Sequence, residues 1–134
     1  HGELVLVADD EEAVRRFTKK TLERHGYRVV TAADGVEGLA RYAQNREQVQ
    51  AVVTDLMMPF MDGPAFIRAL RQMNSEAKII AVSGLQTDLA LPGDPEVQVQ
   101  ATLAKPFTAA ALLQTLQDVL HPAPEGVPAA ANRA

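Results

Sequence analysis

The 134-residue sequence contains no cysteine and no tryptophan, and only 4% of its residues are aromatic. Without cysteine there is no disulfide, no thiolate metal site and no thiol nucleophile, which fits the reducing cytoplasm in which we expect this chain. The three histidines, His1, His25 and His121, are too scattered to form a zinc cluster. No apolar run approaches the roughly 18 residues that span a bilayer, so we expect no membrane contact by this domain.

The sequence also lacks an excess of positive charge. Its formal net charge is −4, with 13 basic against 17 acidic residues. Nucleic-acid binding normally requires a basic face, so direct binding of nucleic acid is not expected. The 47% of hydrophobic residues and 22% of charged residues are ordinary for a globular domain, and the length suits a single core.

Short apolar runs alternate along the chain with segments of helical periodicity. A continuous apolar run such as 4–8 is typical of a strand that is covered on both faces. Strands are predicted over residues 4–8, 27–31, 51–54, 78–82 and 99–104. This alternation predicts an α/β fold with a doubly wound, five-stranded parallel sheet.

Helix boundaries and buried faces follow from capping residues and apolar spacing. Gly26 suits the end of the first helix, and Pro64 suits the first turn of the third. Asp34, Asp62 and Thr108 are the predicted N-caps of the later helices. The residues predicted to face the core are Val14, Phe17 and Leu22; Val36, Leu39, Ala40 and Ala43; Phe66, Ile67 and Leu70; and Leu112, Leu113, Leu116, Val119 and Leu120.

Proline and glycine interrupt two stretches of the chain. Between the fourth and fifth strands, Pro92, Gly93 and Pro95 oppose a helix, because an interior proline costs about 3 kcal/mol and a glycine about 1. We therefore expect at most one short turn between residues 86 and 90, followed by an irregular loop to about residue 97. From residue 121 the composition becomes rich in proline and alanine, which predicts a domain over 1–120 and a flexible tail over 121–134.

Polar residues end four of the five predicted strands. Asp9 and Asp10 follow the first strand, Asp55 the third, Ser83 the fourth and Lys105 the fifth. Each alone has an ordinary explanation as a cap, a turn residue or a surface lysine. Together, at one edge of a parallel sheet, they predict a site. Two carboxylates about 4 Å apart repel by roughly 4 kcal/mol at an effective dielectric of 20, so three of them could not all stay ionised without a cation. An oxygen-only cluster of this kind suits Mg²⁺.

Four segments of the sequence resemble the signature segments of response-regulator receiver domains. They are VLVADDEE, VVTDLMMPFMDG, AVSG and LAKPF, in the order of that family, and the resemblance covers roughly residues 3–120. It implies a flavodoxin-like (βα)5 fold with strand order 2-1-3-4-5. KIIAVSGL and LAKPF are also similar to receivers within hybrid histidine kinases, so the parent is expected to be a hybrid kinase or a stand-alone regulator.

The resemblance implies a role for each matching residue of the metal site. Asp55 corresponds to the phosphoacceptor and to a metal ligand. Asp10 corresponds to a direct ligand of Mg²⁺ (or Mn²⁺), Asp9 to a ligand that acts through water, and Met57 to the residue whose backbone carbonyl completes the set.

The resemblance also implies how the phosphoryl group is held. Ser83 corresponds to the hydroxyl that bonds a phosphoryl oxygen, and Lys105 to the cation that pairs with the acceptor and then with the phosphoryl group. The Lys105–Pro106 peptide bond is expected to be cis. The implied partner is a histidine kinase or phosphotransfer domain carrying phosphohistidine, and the domain is not an enzyme in the ordinary sense.

Two features depart from the family pattern and concern the output surface. Thr102 stands where the family usually carries Phe or Tyr, and the fourth helix is interrupted. Two alternatives to a phosphoaccepting receiver remain. A phosphohydrolase of haloacid-dehalogenase type needs a second aspartate at position 57, which is Met57, and a pseudo-receiver that only binds partners tends to lack the acidic residues present here.

Overall fold

The computed structural model describes residues 2–84 and 98–122. Five strands form one sheet: β1 (Leu4–Ala8), β2 (Arg28–Ala32), β3 (Val49–Asp55), β4 (Ile79–Ser83) and β5 (Ala101–Ala104). All neighbouring strands are parallel, and their order is β2-β1-β3-β4-β5. The helices described are α1 (Glu12–Arg24), α2 (Gly35–Gln44), α3 (Gly63–Met73) and α4 (Ala109–Leu120). The predicted flavodoxin-like sheet is confirmed.

Helices cover both faces of the sheet, which explains the unbroken apolar run in β1. All five residues of that strand are buried. Leu6 and Ala8 pack in a cluster with residues of α2 and α3, whereas Val5 and Val7 pack in a second cluster with residues of α1 and α4. A strand between two such layers has no face left for a polar side chain until it reaches its end.

The predicted helix caps are confirmed. The Asp34 side chain accepts a hydrogen bond from the Glu37 amide at 2.8 Å, Asp62 accepts from the Ala65 amide at 2.9 Å, and Thr108 accepts from the Ala111 amide at 3.1 Å. Pro64 lies in the first turn of α3. Gly26 follows α1 with φ of +91°, a left-handed conformation that glycine adopts without strain.

The predicted buried face of α2 is wrong except for Leu39, which is half-buried and packs against the core. Val36 is 55% exposed, and Ala40 and Ala43 are exposed as well. The helix instead buries Gly35, Gly38 and Tyr42. Apolar spacing misses most of this face because two of its three buried residues are glycines.

The first helix contains a smaller error of the same kind. Phe17 is 42% exposed rather than part of the core. Its ring lies 6.1 Å from that of Phe107, with the two planes tilted by 52°. Phe17 therefore packs on the loop before α4, at the edge of the molecule.

β1 has the predicted bounds, and the boundaries of the other strands differ from the predicted ones by at most two residues. Asp55 and Ser83 are the last residues of β3 and β4, and β5 begins at Ala101 rather than Val99. The expectations for residues 86–97 and for the tail beyond Pro122 lie outside the described residues. Within the described ranges, no helix is long and apolar enough to cross a membrane.

Candidate functional site

The site lies where four adjacent strands end. The sheet register pairs Ala8 of β1 with Thr54 of β3, and Asp55 of β3 with Val82 of β4. Ser83 in turn pairs with Ala104 of β5. Because the strands are parallel and in this register, the residues that end them reach the same edge of the sheet.

Lys105 is the cation at the centre of this edge. Its Nζ lies 2.9 Å from Asp9 Oδ2, 2.9 Å from Asp55 Oδ2 and 2.9 Å from Glu11 Oε1. Burial lowers the pKa of this ammonium, but the hydrogen bonds to Asp9, Glu11 and Asp55 outweigh burial and raise the pKa above its usual range. Lys105 is therefore charged throughout the neutral range, and its three donors are all engaged.

Asp9 is the most confined carboxylate of the cluster. Burial raises its pKa, and the charge of Asp55 adds to this shift, while hydrogen bonds from the Glu11 amide and from Lys105 oppose it. Its Oδ1 accepts from the Glu11 amide at 2.9 Å, and its carbonyl accepts from Arg15 Nη1 at 2.7 Å. Asp9 thus links the end of β1 to the first turns of α1.

Asp55 is buried and held at both carboxylate oxygens. Oδ2 accepts from Lys105, and Oδ1 accepts from the Met57 amide at 3.1 Å. The loop that follows is closed by a hydrogen bond of 3.0 Å from the Gly63 amide to the Leu56 carbonyl. A Cβ at Gly63 would lie 2.5 Å from Leu56 Cα, so this close approach requires glycine.

Four carboxylates form a group that could hold a cation. Asp9, Asp10, Glu11 and Asp55 each offer an oxygen, and these oxygens lie within 4.8 Å of one another. Asp9 and Asp55 are buried, whereas Asp10 and Glu11 are exposed. Hard oxygen donors with an open, wet side suit Mg²⁺, which retains several water ligands.

Ser83 and Met57 occupy less central positions in the described geometry. Ser83 is buried, and its carbonyl accepts from the Lys105 amide at 2.7 Å. The Met57 side chain is 63% exposed, while its backbone forms the turn after Asp55. The Lys105–Pro106 bond is cis, as predicted.

Glu11 belongs to this cluster but was not predicted from the sequence as a site residue. The signal available was its position, directly after Asp9 and Asp10 and before the first helical residue, Glu12. Its reach to Lys105 depends on the fold, because 94 residues separate the two in the chain.

The family model that matches this chain is that of the response regulator receiver domain, over residues 5–117. The chain belongs to this family. The resemblance noted in the sequence is thereby confirmed, and the domain is a receiver of two-component signalling. Receivers are generally not enzymes in the ordinary sense.

Curated relatives place similar receivers in longer proteins. Sensor kinase CckA of Brucella abortus is 38% identical over 117 residues, which are 87% of this chain but 12% of that protein. Response regulator MprA of a Mycobacterium species, strain KMS, is 34% identical over 117 residues, 87% of this chain and 50% of that protein. The receiver thus spans half or less of the length of these relatives.

Solved receiver structures share the fold over most of their length. Chemotaxis protein CheY4 of Vibrio cholerae is 34% identical, with a TM-score of 0.79, and covers 90% of this chain and 100% of its own. The receiver domain of the hybrid histidine kinase CckA is 29% identical, with a TM-score of 0.74, over 87% of this chain and 98% of its own.

Proposed function

We propose that this receiver accepts a phosphoryl group on Asp55 from a phosphohistidine of a histidine kinase or phosphotransfer domain, with Mg²⁺ (or Mn²⁺) in the acidic cluster. The observation that carries the proposal is the pairing of Lys105 Nζ with Asp55 Oδ2 at 2.9 Å inside a group of four carboxylates. A buried acceptor beside a fixed cation, at the open edge of a sheet, suits transfer of a highly charged group.

The proposed reaction is an in-line displacement at phosphorus. An Asp55 carboxylate oxygen forms the new O–P bond while the P–N bond to the donor imidazole breaks, and the imidazole leaves with the electron pair. Lys105 meets charge that develops on the phosphoryl oxygens, and the Ser83 hydroxyl is proposed to donate to one of them. The chain's contribution is positioning and electrostatic stabilisation.

The residues proposed to hold the metal are those that the resemblance implies. Asp10 and Asp55 would bind the ion directly, Asp9 through water, and Met57 through its backbone carbonyl. The bound cation would neutralise charge shared between the carboxylates and the phosphoryl group. The donor set fits, since every side-chain ligand offers a carboxylate oxygen within the 4.8 Å cluster.

The proposal extends to the setting of the domain. A cytoplasmic receiver over residues 1–120, followed by a tail over 121–134, agrees with a family match that ends at residue 117 and with α4 ending at Leu120. Similarity to CckA supports a hybrid histidine kinase as parent, and similarity to MprA and CheY4 supports a response regulator.

The two alternative functions have less support. A phosphohydrolase of the haloacid-dehalogenase type would need an aspartate where Met57 stands. A pseudo-receiver that only binds partners would have no need for the triple pairing of Lys105 with Asp9, Glu11 and Asp55.

The test is phosphorylation of the intact chain by acetyl phosphate with Mg²⁺, or by a phosphorylated kinase. One hydroxylamine-sensitive phosphoryl group per chain is expected by intact-mass spectrometry. Asp55→Asn should abolish it, because an amide is not nucleophilic and the change is nearly isosteric. Asp118→Asn, which removes a carboxylate that pairs with Gln114 on α4, should leave the yield unchanged. A normal yield from folded Asp55→Asn would refute the assignment.

A further inference from the structure

We propose that Glu11 is a displaceable anion that occupies one donor of Lys105 until a phosphoryl oxygen takes its place. The exchange would set the rate at which anionic phosphodonors react. It would also change the charge that is exposed at the start of α1. This inference deepens the proposed function and rests on it. It concerns a residue that lies outside the set implied by the receiver resemblance.

All the donors of Lys105 are engaged in the unphosphorylated domain. An ammonium has three N–H groups, and three carboxylate oxygens lie 2.9 Å from Nζ. No donor is therefore left for an incoming phosphoryl oxygen. One of Asp9, Glu11 and Asp55 has to give way before Lys105 can bond the phosphoryl group.

Exposure identifies Glu11 as the residue that gives way. The side chains of Asp9 and Asp55 are 4% and 5% exposed, whereas that of Glu11 is 60% exposed. Asp9 and Asp55 also accept hydrogen bonds from the amides of Glu11 and Met57 through their other oxygens. A released Glu11 carboxylate is rehydrated at once, while a released buried carboxylate loses its partner without gaining water.

The backbone of Glu11 is fixed while its side chain is not. Glu11 is the N-cap residue of α1, yet its side chain makes no capping hydrogen bond. Its amide donates to Asp9 Oδ1, and its carbonyl accepts from the Arg15 amide at 3.0 Å. Release of the side chain therefore leaves the helix start intact, and substitution of Glu11 is not expected to unfold α1.

The exchange also alters the rim of a neighbouring groove. Glu11 and Lys105 line a groove of about 590 Å³ together with the apolar side chains of Val14, Phe17 and Phe107. In the unphosphorylated state the Glu11 carboxylate is paired with Lys105, an ammonium that it shares with Asp9 and Asp55. Once the phosphoryl group takes the ammonium, the rim presents an unpaired carboxylate. Phosphorylation would thus expose a negative charge at the start of α1. This change would not require the Phe or Tyr that the family usually carries at the position of Thr102.

The kinetic test compares Glu11→Gln with Glu12→Gln in the full chain. Both variants remove one negative charge from neighbouring positions, but Glu12 pairs with Arg16 at 3.9 Å and is 66% exposed. With acetyl phosphate and saturating Mg²⁺, Glu11→Gln should raise the bimolecular rate constant of phosphorylation about two- to fivefold, the equivalent of one exposed ion pair. Glu12→Gln should stay near wild type, and high salt should reduce the difference.

A spectroscopic readout separates displacement from a general charge effect. Beryllofluoride mimics a phosphoryl group without being hydrolysed, and with Mg²⁺ it should shift the NMR signal of the Glu11 side-chain carboxyl carbon toward that of exposed Glu12. An unchanged rate in Glu11→Gln, or an unmoved Glu11 signal in a wild type that binds beryllofluoride, overturns the inference. A wild type that takes up neither phosphoryl group nor beryllofluoride instead refutes the proposed function.

Discussion

At the scale of single residues, the charge balance of the pocket depends on Lys105. One ammonium faces Asp9, Glu11 and Asp55, so the cluster remains net negative even when all pairs are formed. The pKa of Lys105 is raised, so its stabilising effect is fully present below the usual lysine value and is lost only as the pH rises through the higher folded-state value. Asp9 has the same sign, because its raised pKa means that its ionisation opposes folding as the pH rises.

Replacement of Lys105 should destabilise the domain, because the negative charge of the cluster is then uncompensated. Lys105→Met leaves buried Asp9 and Asp55 without their cation, and we expect the metal-free domain to lose about 2 kcal/mol of unfolding free energy at pH 7. The loss should shrink toward pH 5, because the raised pKa of Asp9 moves its protonation to higher pH than that of an ordinary aspartate. It should persist to pH 9, where wild-type Lys105 is still charged. Urea unfolding at the three pH values measures this. A deficit that grows toward pH 5 would contradict the argument.

Three of the four residues of this cluster could be predicted from the sequence, and the fourth could not. Asp9, Asp55 and Lys105 could be predicted to meet because each ends a strand, and strand ends of a parallel sheet share one edge. Glu11 could not be predicted in the same way. It lies beyond the strand, and its contact with Lys105 depends on side-chain length and on the angle at which α1 leaves the sheet.

At the scale of secondary-structure elements, α2 and α3 approach through glycine. A Cβ at Gly38 would lie 2.7 Å from Phe66 Cζ, and one at Gly35 would lie 2.8 Å from the Met61 carbonyl oxygen. The Phe66 ring is fully buried, and in a close-packed core it cannot move aside without displacing its neighbours. Apolar periodicity finds the stripe of α3 correctly, but on α2 it finds only Leu39, since it gives glycine no weight.

Gly38→Ala should therefore destabilise the domain although alanine favours helices. The helix preference contributes about 1 kcal/mol in favour, while overpacking a buried contact costs typically 1–3 kcal/mol. We expect a net loss of about 1 kcal/mol in urea unfolding. In Gly38→Ala/Phe66→Leu, the smaller leucine side chain makes room for the alanine Cβ. The double variant should therefore lose less unfolding free energy than the two single variants lose together. Strict additivity would show that the two residues do not compete for space.

At the scale of the whole molecule, the sheet order joins the pocket to the core. Strands β1, β3, β4 and β5 are neighbours, and two buried apolar clusters hold them between the helix layers. The rigid sheet fixes the carboxylates at distances where they repel each other. Any cation that binds the folded cluster and not the unfolded chain must then stabilise the entire domain.

This linkage predicts that Mg²⁺ raises the unfolding free energy of the domain, and that residues 1–122 suffice for the whole increase. At a Mg²⁺ concentration ten times the Kd, the domain should gain about 1.4 kcal/mol. A chain cut after Pro122 should gain the same amount, because the acidic cluster and α4 lie before the cut. Asp10→Ala should lose most of the gain. Without metal it should be slightly more stable than wild type, since one repelling carboxylate is gone. The control variant Asp118→Ala should keep the gain. Thermal unfolding across a Mg²⁺ titration measures all four chains. A wild-type melting temperature that does not change with Mg²⁺ would exclude the metal site, and a gain lost on truncation would refute the proposed domain boundary.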